Sequence, residues 1–330
     1  MNMNYVHDLN PVIFHITESI AVRWYGLAYL LGFVVGYYLL FCLSKRELYP
    51  VPKEKLADFV TLTAIFGVLI GGRLGYVLFY MIPREGLSSF MEHPWNAVMV
   101  NEGGMASHGG ILGVCLFVWY YARRHRLSWL ATMDGLAIVA PVGIFFGRVA
   151  NFINGELYGR MTSADNPLAM RFPEEMKLYS VEEMQEKVVP VLNTLHHEMG
   201  LQVPDKYEGG SVQWLIDQVR ENPQVRETVG NVLHPRYPSQ LFEALAEGLF
   251  IFLILWWIRL RFPKAPHGLF CALFCFLYAF GRILTECYRE PDAAMWGVLT
   301  RGQYLSFGII LGGFVLLVPV WRQWKAGRQK

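Results

Sequence analysis

Repeated apolar runs of roughly 20 residues constrain this chain more than any other feature. A helix needs a run of that length to cross a hydrocarbon core of about 30 Å. The pattern predicts seven spans, at about 20–43, 59–82, 106–122, 132–150, 238–258, 267–286 and 304–322. Only 17% of the 330 residues are charged, against about 25% in soluble domains. The expected fold is therefore an all-α polytopic membrane protein with about seven transmembrane helices, forming one transmembrane domain over 1–330.

Charge in the connections gives an orientation. Short loops after spans one, three and five, together with the tail, carry fourteen Lys and Arg. The N-terminal segment and the short loops after spans two and six carry three: Arg84, Arg289 and Arg301. Positive loops stay in the cytoplasm, so the N-terminus is expected outside and the C-terminus inside. The first 22 residues hold no Lys or Arg to form the positive start of a signal peptide. A net charge of +2 gives no basic surface for nucleic acid. The five cysteines lie in or beside predicted spans. Cys271 and Cys275 lack the His and Cys company of a zinc site, so no metal or other cofactor is expected.

With that orientation, polar groups from five spans gather at one membrane face. Arg23, Trp24 and Tyr25 begin span one, and Arg73 lies in the outer half of span two. His108 opens span three, Arg148 and Asn151 close span four, and Arg282, Glu286 and Arg289 close span six. The stretch Gly147-Arg148-Val149-Ala150-Asn151-Phe152-Ile153-Asn154-Gly155-Glu156-Leu157-Tyr158-Gly159 is the densest of these. Arg148 and Asn151 are three apart and share a helical face. An arginine at membrane depth costs about 2.5–3.5 kcal/mol on insertion scales and usually faces a cavity or an anion. Arg148 alone is also compatible with snorkelling to the surface; the clustered amides and carboxylate weigh against it. Tyr278, Arg282, Glu286 and Arg289 fall on one helical stripe, where Glu286 either neutralises the arginines or holds Arg282 in a fixed pose. Gly67, Gly71 and Gly75 form a small-residue face for helix packing. Asp134 fits a charge at the start of its own helix, and Pro141 and Gly143 suggest a kink in span four.

The Gly-Arg-x-Ala-Asn-Phe-Ile-Asn-x-Glu-x-x-Gly stretch closely resembles the signature of bacterial prolipoprotein diacylglyceryl transferases. Three further segments resemble motifs of that family: Ser107-His108-Gly109-Gly110, the His234-Pro235-Arg236-Tyr237-Pro238-Ser239-Gln240-Leu241 segment, and Phe280-Gly281-Arg282-Ile283 running on through Glu286 and Arg289 to Asp292. The resemblance implies a bacterial inner-membrane enzyme with its site near the extracytoplasmic face. Its substrates would be phosphatidylglycerol and prolipoproteins carrying a lipobox cysteine, and 1–330 would be a single transmembrane catalytic domain. The reaction implied makes a thioether: sulfur attacks a glycerol carbon and glycerol phosphate departs. His108 would be the base, with Arg148 and Arg282 on the leaving phosphate, since guanidinium matches phosphate oxygens bidentately. Tyr25, Arg73, Asn151, Asn154, Glu156, Gly159, Glu286 and Arg289 would bind substrate. The competing class is a transporter or binder of an anionic lipid or solute. A transporter would carry polar groups on both sides of the midplane and often internal repeats, neither of which is present.

Residues 160–236 are polar and carry no span-length apolar run, so they are expected outside the membrane as an insertion between spans four and five. Ser180-Val181-Glu182-Glu183 has the pattern of a capping box, Pro190 would end or kink the helix it opens, and Ser211–Val219 suggests a second amphipathic helix. Ser239 would cap span five, with Glu243 reaching that helix's N-terminal amides. No motif falls in 165–230, so a flexible linker in its place is expected to leave some activity, provided the protein still folds.

Overall fold

A computed structural model describes residues 4–17, 21–92, 94–97, 104–291 and 299–328. Asp292, the end of one motif segment, lies outside them. Among the described residues, six helices are long and apolar enough to cross a membrane: Trp24–Lys45, Lys53–Arg84, Trp129–Asn154, Ser239–Arg261, Leu269–Glu286 and Gly302–Ala326. Their large exposed side chains, among them Tyr38, Leu78, Trp257 and Val315, suit a lipid environment, and helices satisfy their own backbone polar groups there. The third expected span is also a helix, Ser107–Arg124. It is not one of those six, because His108, Arg123, Arg124 and three glycines dilute its apolar content. Pro141 is accommodated inside one unbroken helix.

The chain divides into two compact units. The first comprises Met1–Gly32, Val142–Ile251 and Leu277–Ile309. Here the polar insertion builds its own small core. Val188, Leu195, Leu215, Ile216, Val219 and Val229 are almost wholly buried, and burying each such side chain is worth about 1.5–3 kcal/mol. The capping box is present, with Ser180 Oγ accepting from Glu183 N and the Glu183 carboxylate accepting from Ser180 N. Pro190 does not end the helix that follows. A π segment, Met184–Val188, precedes it and the chain stays helical to Met199, since the wider turn absorbs a residue that cannot donate. The expected second helix runs Gly210–Glu221.

The N-terminal segment departs from expectation. Span one starts at Trp24 rather than near residue 20, because Ala21–Arg23 pairs antiparallel with Val12–His15 as a hairpin. Tyr5–Val6 pairs in parallel with Met170–Arg171, and Val6 joins the core of the insertion.

The second unit comprises Phe33–Pro141, Phe252–Phe276 and Ile310–Lys330. The glycine face of the sequence packs there as anticipated. A Cβ on Gly75 would lie 2.5 Å from Gly109 Cα, and one on Gly71 would lie 2.9 Å from Gly113 Cα. Asp134 does not serve its own helix. Its carboxylate accepts from Gly268 N at 2.7 Å and Cys271 N at 2.9 Å, so it caps the neighbouring helix Leu269–Glu286, whose first amides have no intrahelical acceptor.

Candidate functional site

Three helices of the first unit carry the polar cluster. Arg148 comes from Trp129–Asn154, Glu243 and Glu247 from Ser239–Arg261, and Arg282 and Glu286 from Leu269–Glu286. Arg289 lies beyond the end of that last helix, so the expected helical stripe stops at Glu286. The turn after the helix nevertheless brings Arg289 into the cluster.

Glu243 is the hub. Its carboxylate lies 2.7 Å from Arg148 Nη1, 3.3 Å from Arg282 Nη1 and 2.9 Å from Arg289 Nη1. Glu247, one turn further along, lies 3.4 Å from Arg148 Nη2 and 3.6 Å from Arg282 Nη1, and it accepts from Thr285 Oγ1 at 2.9 Å. Glu286 pairs with Arg282 Nη2 at 2.8 Å, a contact that both neutralises that guanidinium and restrains it. Three guanidiniums thus meet three carboxylates and the cluster is formally neutral. Exposure is uneven: the side chains of Glu243 and Glu247 are 0% exposed, those of Arg148 and Arg282 18% and 13%. Glu243 and Glu247 are sealed in, and the Arg148 and Arg282 side chains stay partly accessible.

The expected roles of Ser239 and Glu243 at the helix start are not found. Glu243 points to the arginines, and Ser239 Oγ donates to Leu157 O at 3.1 Å. Gln240 Nε2 donates to Glu156 O at 2.7 Å, so this segment latches onto the turn that ends the signature. Within the signature, Asn151 Nδ2 donates to Glu156 Oε1 at 2.8 Å and to Tyr25 OH at 3.3 Å, and Asn154 Nδ2 reaches the same Glu156 oxygen at 3.4 Å. Tyr25, Asn151, Asn154 and Glu156 are therefore brought together. Gly159 fits only as glycine: a Cβ would lie 2.5 Å from both Tyr237 O and Tyr288 O, and its amide donates to Tyr237 O at 2.8 Å.

Arg73 and His108 belong to the second unit. Arg73 is buried, donates to Gly104 O at 3.0 Å and lies over the Tyr76 ring. His108 is exposed in the first turn of Ser107–Arg124. Among the described residues, no group of three or more His, Cys, Asp and Glu side chains is placed to hold a metal ion.

The insertion is tied to the motif segments rather than set apart from them. Glu175, 1% exposed, accepts from Arg236 Nε, from His234 N at 2.8 Å and from Tyr179 OH at 2.8 Å. Arg236 in turn donates to Gly159 O at 3.2 Å and stacks over the Tyr158 ring. Removing 165–230 would take the buried Glu175 from Arg236 and leave it only the half-exposed carboxylate of Glu290 at 3.2 Å, a loss that weighs on folding.

His7 packs under the same turn. It stacks on Phe172 and meets Phe152 edge-on, with ring centroids 5.5 and 5.4 Å away. Gly155 turns above it at φ 71°, where a Cβ would come within 3.1 Å of His7 Nδ1. Burial pushes the His7 imidazole down from 6.5 to about 4. The unfolded chain therefore takes up a proton between those values and the folded one does not. Stability from this group is complete above about pH 6.5 and is lost as pH falls toward 4. At pH 5 the loss is on the order of 2 kcal/mol. Thermal melting in detergent should show the wild type weakening from pH 7 to pH 5 more steeply than His7→Phe; parallel profiles would contradict the assignment.

Comparison with known proteins identifies the family. The profile of the prolipoprotein diacylglyceryl transferase family matches residues 11–319. A Bdellovibrio bacteriovorus protein named phosphatidylglycerol–prolipoprotein diacylglyceryl transferase is 40% identical, covering 96% of this chain and 94% of its own length. Proteins of the same name from Neisseria gonorrhoeae and Psychrobacter arcticus are 35% and 32% identical, covering 94% and 92% of this chain and 95% and 91% of their own lengths. The match spans both units and every motif segment, and the chain belongs to the prolipoprotein diacylglyceryl transferase family.

Proposed function

We propose that this multi-pass membrane enzyme transfers the diacylglyceryl group of phosphatidylglycerol to the lipobox cysteine of prolipoproteins, in the bacterial inner membrane and at its extracytoplasmic face. The observation that carries the mechanism is the pair of part-exposed arginine side chains, Arg148 and Arg282, backed by the sealed carboxylates of Glu243 and Glu247. In the transfer, a bond forms between the cysteine sulfur and a glycerol carbon. The bond from that carbon to a phosphate oxygen breaks, and its electron pair leaves with glycerol phosphate. The thiol proton passes to a base.

Charge grows on the leaving phosphate, and donors fixed in advance at that position are the strongest aid an enzyme supplies. Arg148 is held by two carboxylates and Arg282 by three, so each needs little reorganisation when the phosphate arrives. Asn151, Asn154, Glu156 and Tyr25 form the polar neighbourhood for the lipid headgroup, Glu286 and Arg289 brace the cluster, and Gly159 lets the signature turn close. A thiol with an ordinary pKa near 8.5 is only partly ionised at neutral pH, so a proton acceptor helps. His108 takes that role on the strength of its motif, and Arg73 joins the substrate-binding set on the same ground.

The helix Ser107–Arg124 is taken as a seventh crossing, since 18 residues at about 1.5 Å each reach roughly 27 Å. With seven crossings the basic short loops lie in the cytoplasm, and 160–236 forms an extracytoplasmic part of a single catalytic domain over 1–330. Sealed vesicles of defined sidedness test function and orientation together. A cysteine peptide should acquire labelled diacylglyceryl only when supplied to the extracytoplasmic face. Labelling from the cytoplasmic face alone would overturn the orientation. Lipid binding without any labelled peptide would favour an anionic-lipid binder.

A further inference from the structure

The polar cluster accounts for the lipid phosphate, but the acceptor is a polypeptide and its chain needs somewhere to lie. A cavity of about 920 Å³ opens within the first unit, alongside the signature. Its lining includes Asn154 and Glu156 from the signature, His15 and Arg23 from the N-terminal hairpin, and Lys206 and Glu208 from the insertion. We propose that this groove holds the water-exposed flank of the acceptor polypeptide, as an extended chain leading away from its cysteine. The inference rests on the transferase reading and adds to it the place of the protein substrate.

Four observations converge on that occupant. The groove begins at the site, because Glu156 accepts from Asn151 and Asn154, and Asn151 also donates to Tyr25. Asn154 Oδ1 is buried and, among the described residues, has no hydrogen-bond partner, and an unmet buried acceptor calls for a donor such as a peptide N–H. The lining carries both signs of charge and few apolar groups, which fits a solvated polypeptide and not acyl chains. One wall includes Val12 and His15 of a strand that, among the described residues, pairs on one edge only, and an open strand edge is a known way to hold extended chain.

The test uses the full-length enzyme in mixed micelles with two acceptor peptides. One stops just past the cysteine; the other continues for about ten residues, roughly 33 Å when extended. The wild type should show a KM about fivefold lower for the longer peptide, the scale of a few rim contacts. Lys206 and Glu208 are exposed and outside the arginine cluster. The double variant Lys206→Glu, Glu208→Lys should abolish the length advantage, while the short peptide's kinetics and the KM for phosphatidylglycerol stay unchanged. A photoreactive benzoylphenylalanine at position 206 should cross-link to the added flank. No length advantage, an advantage that survives the charge swap with no cross-link, or a shift in the lipid KM instead would overturn the proposal. Failure of the transferase reading looks different, since neither peptide would then acquire lipid from the wild type.

Discussion

Replacing Arg148 or Arg282 with glutamine is expected to cut diacylglyceryl transfer at least about 100-fold, the loss that follows removal of one preorganised donor to developing charge. Lysine should rescue poorly at either position, for a reason visible in the geometry. Arg148 spends Nη1 on Glu243 and Nη2 on Glu247, and Arg282 spends Nη1 on Glu243 and Glu247 and Nη2 on Glu286. A single ammonium cannot span those carboxylates and also face a phosphate. A snorkelling arginine would behave otherwise, because lysine snorkels too. Arg84 is exposed and outside the cluster, so Arg84→Gln should transfer lipid normally. The measurement is turnover of each purified variant beside its melting in detergent. Near-normal activity of Arg282→Lys would remove the bidentate clamp from that position.

Glu243→Ala should be the most damaging change to the fold of the site. It strips a fully buried carboxylate from three guanidiniums at once. Breaking a buried pair by deleting one partner costs about 3–5 kcal/mol, since a charge is left buried and uncompensated. Melting in detergent should fall well below that of the wild type, and transfer should be lost with it. The double variant Glu243→Gln, Arg289→Gln removes one charge of each sign and should recover part of the melting temperature, a coupling that a double-mutant cycle measures. An unchanged melting temperature in Glu243→Ala would mean that the carboxylate does not hold the arginines.

These two predictions differ in how far the sequence anticipates them. Arg148 and Arg282 stand out because an arginine near the end of an apolar run is costly and therefore conspicuous. Glu243 does not, since a carboxylate five residues into a helix after Pro-Ser reads naturally as a partner for helix-start amides. Glu247 escapes for a related reason: it sits in the first polar gap of an apolar run, and only the spacing of four from Glu243 hints that both face one side. The partners that reveal them lie 99 and 39 residues away, from Arg148 to Glu247 and from Arg282 to Glu243, beyond any local pattern.

The apolar spans themselves are legible because length and hydrophobicity are summed over many residues. The start of the first span is not. Ala21–Arg23 continue its apolar run but are drawn into a hairpin with Val12–His15, a choice made by pairing rather than by hydropathy. Glu175 illustrates the same limit in the insertion. Nothing in Pro-Glu-Glu-Met distinguishes it from a solvated neighbour, yet it is buried against Arg236, 61 residues on. The absence of motifs in 165–230 says nothing of such a contact, because motifs do not report a carboxylate recruited from afar. Asp134 reads from the sequence as a charge at the start of its own helix, but the helix it caps is another one.

The central claim is that the arginine cluster drives departure of the lipid phosphate as the thioether forms. Phosphatidylglycerol labelled separately in its acyl chains and in its headgroup tests it most directly. With wild-type enzyme and a cysteine peptide, one labelled glycerol phosphate should be released for each diacylglyceryl group that becomes bound to sulfur. In Arg148→Gln and Arg282→Gln both products should fall together, in the same proportion. Headgroup release that continues at the wild-type rate in those variants would contradict the claim.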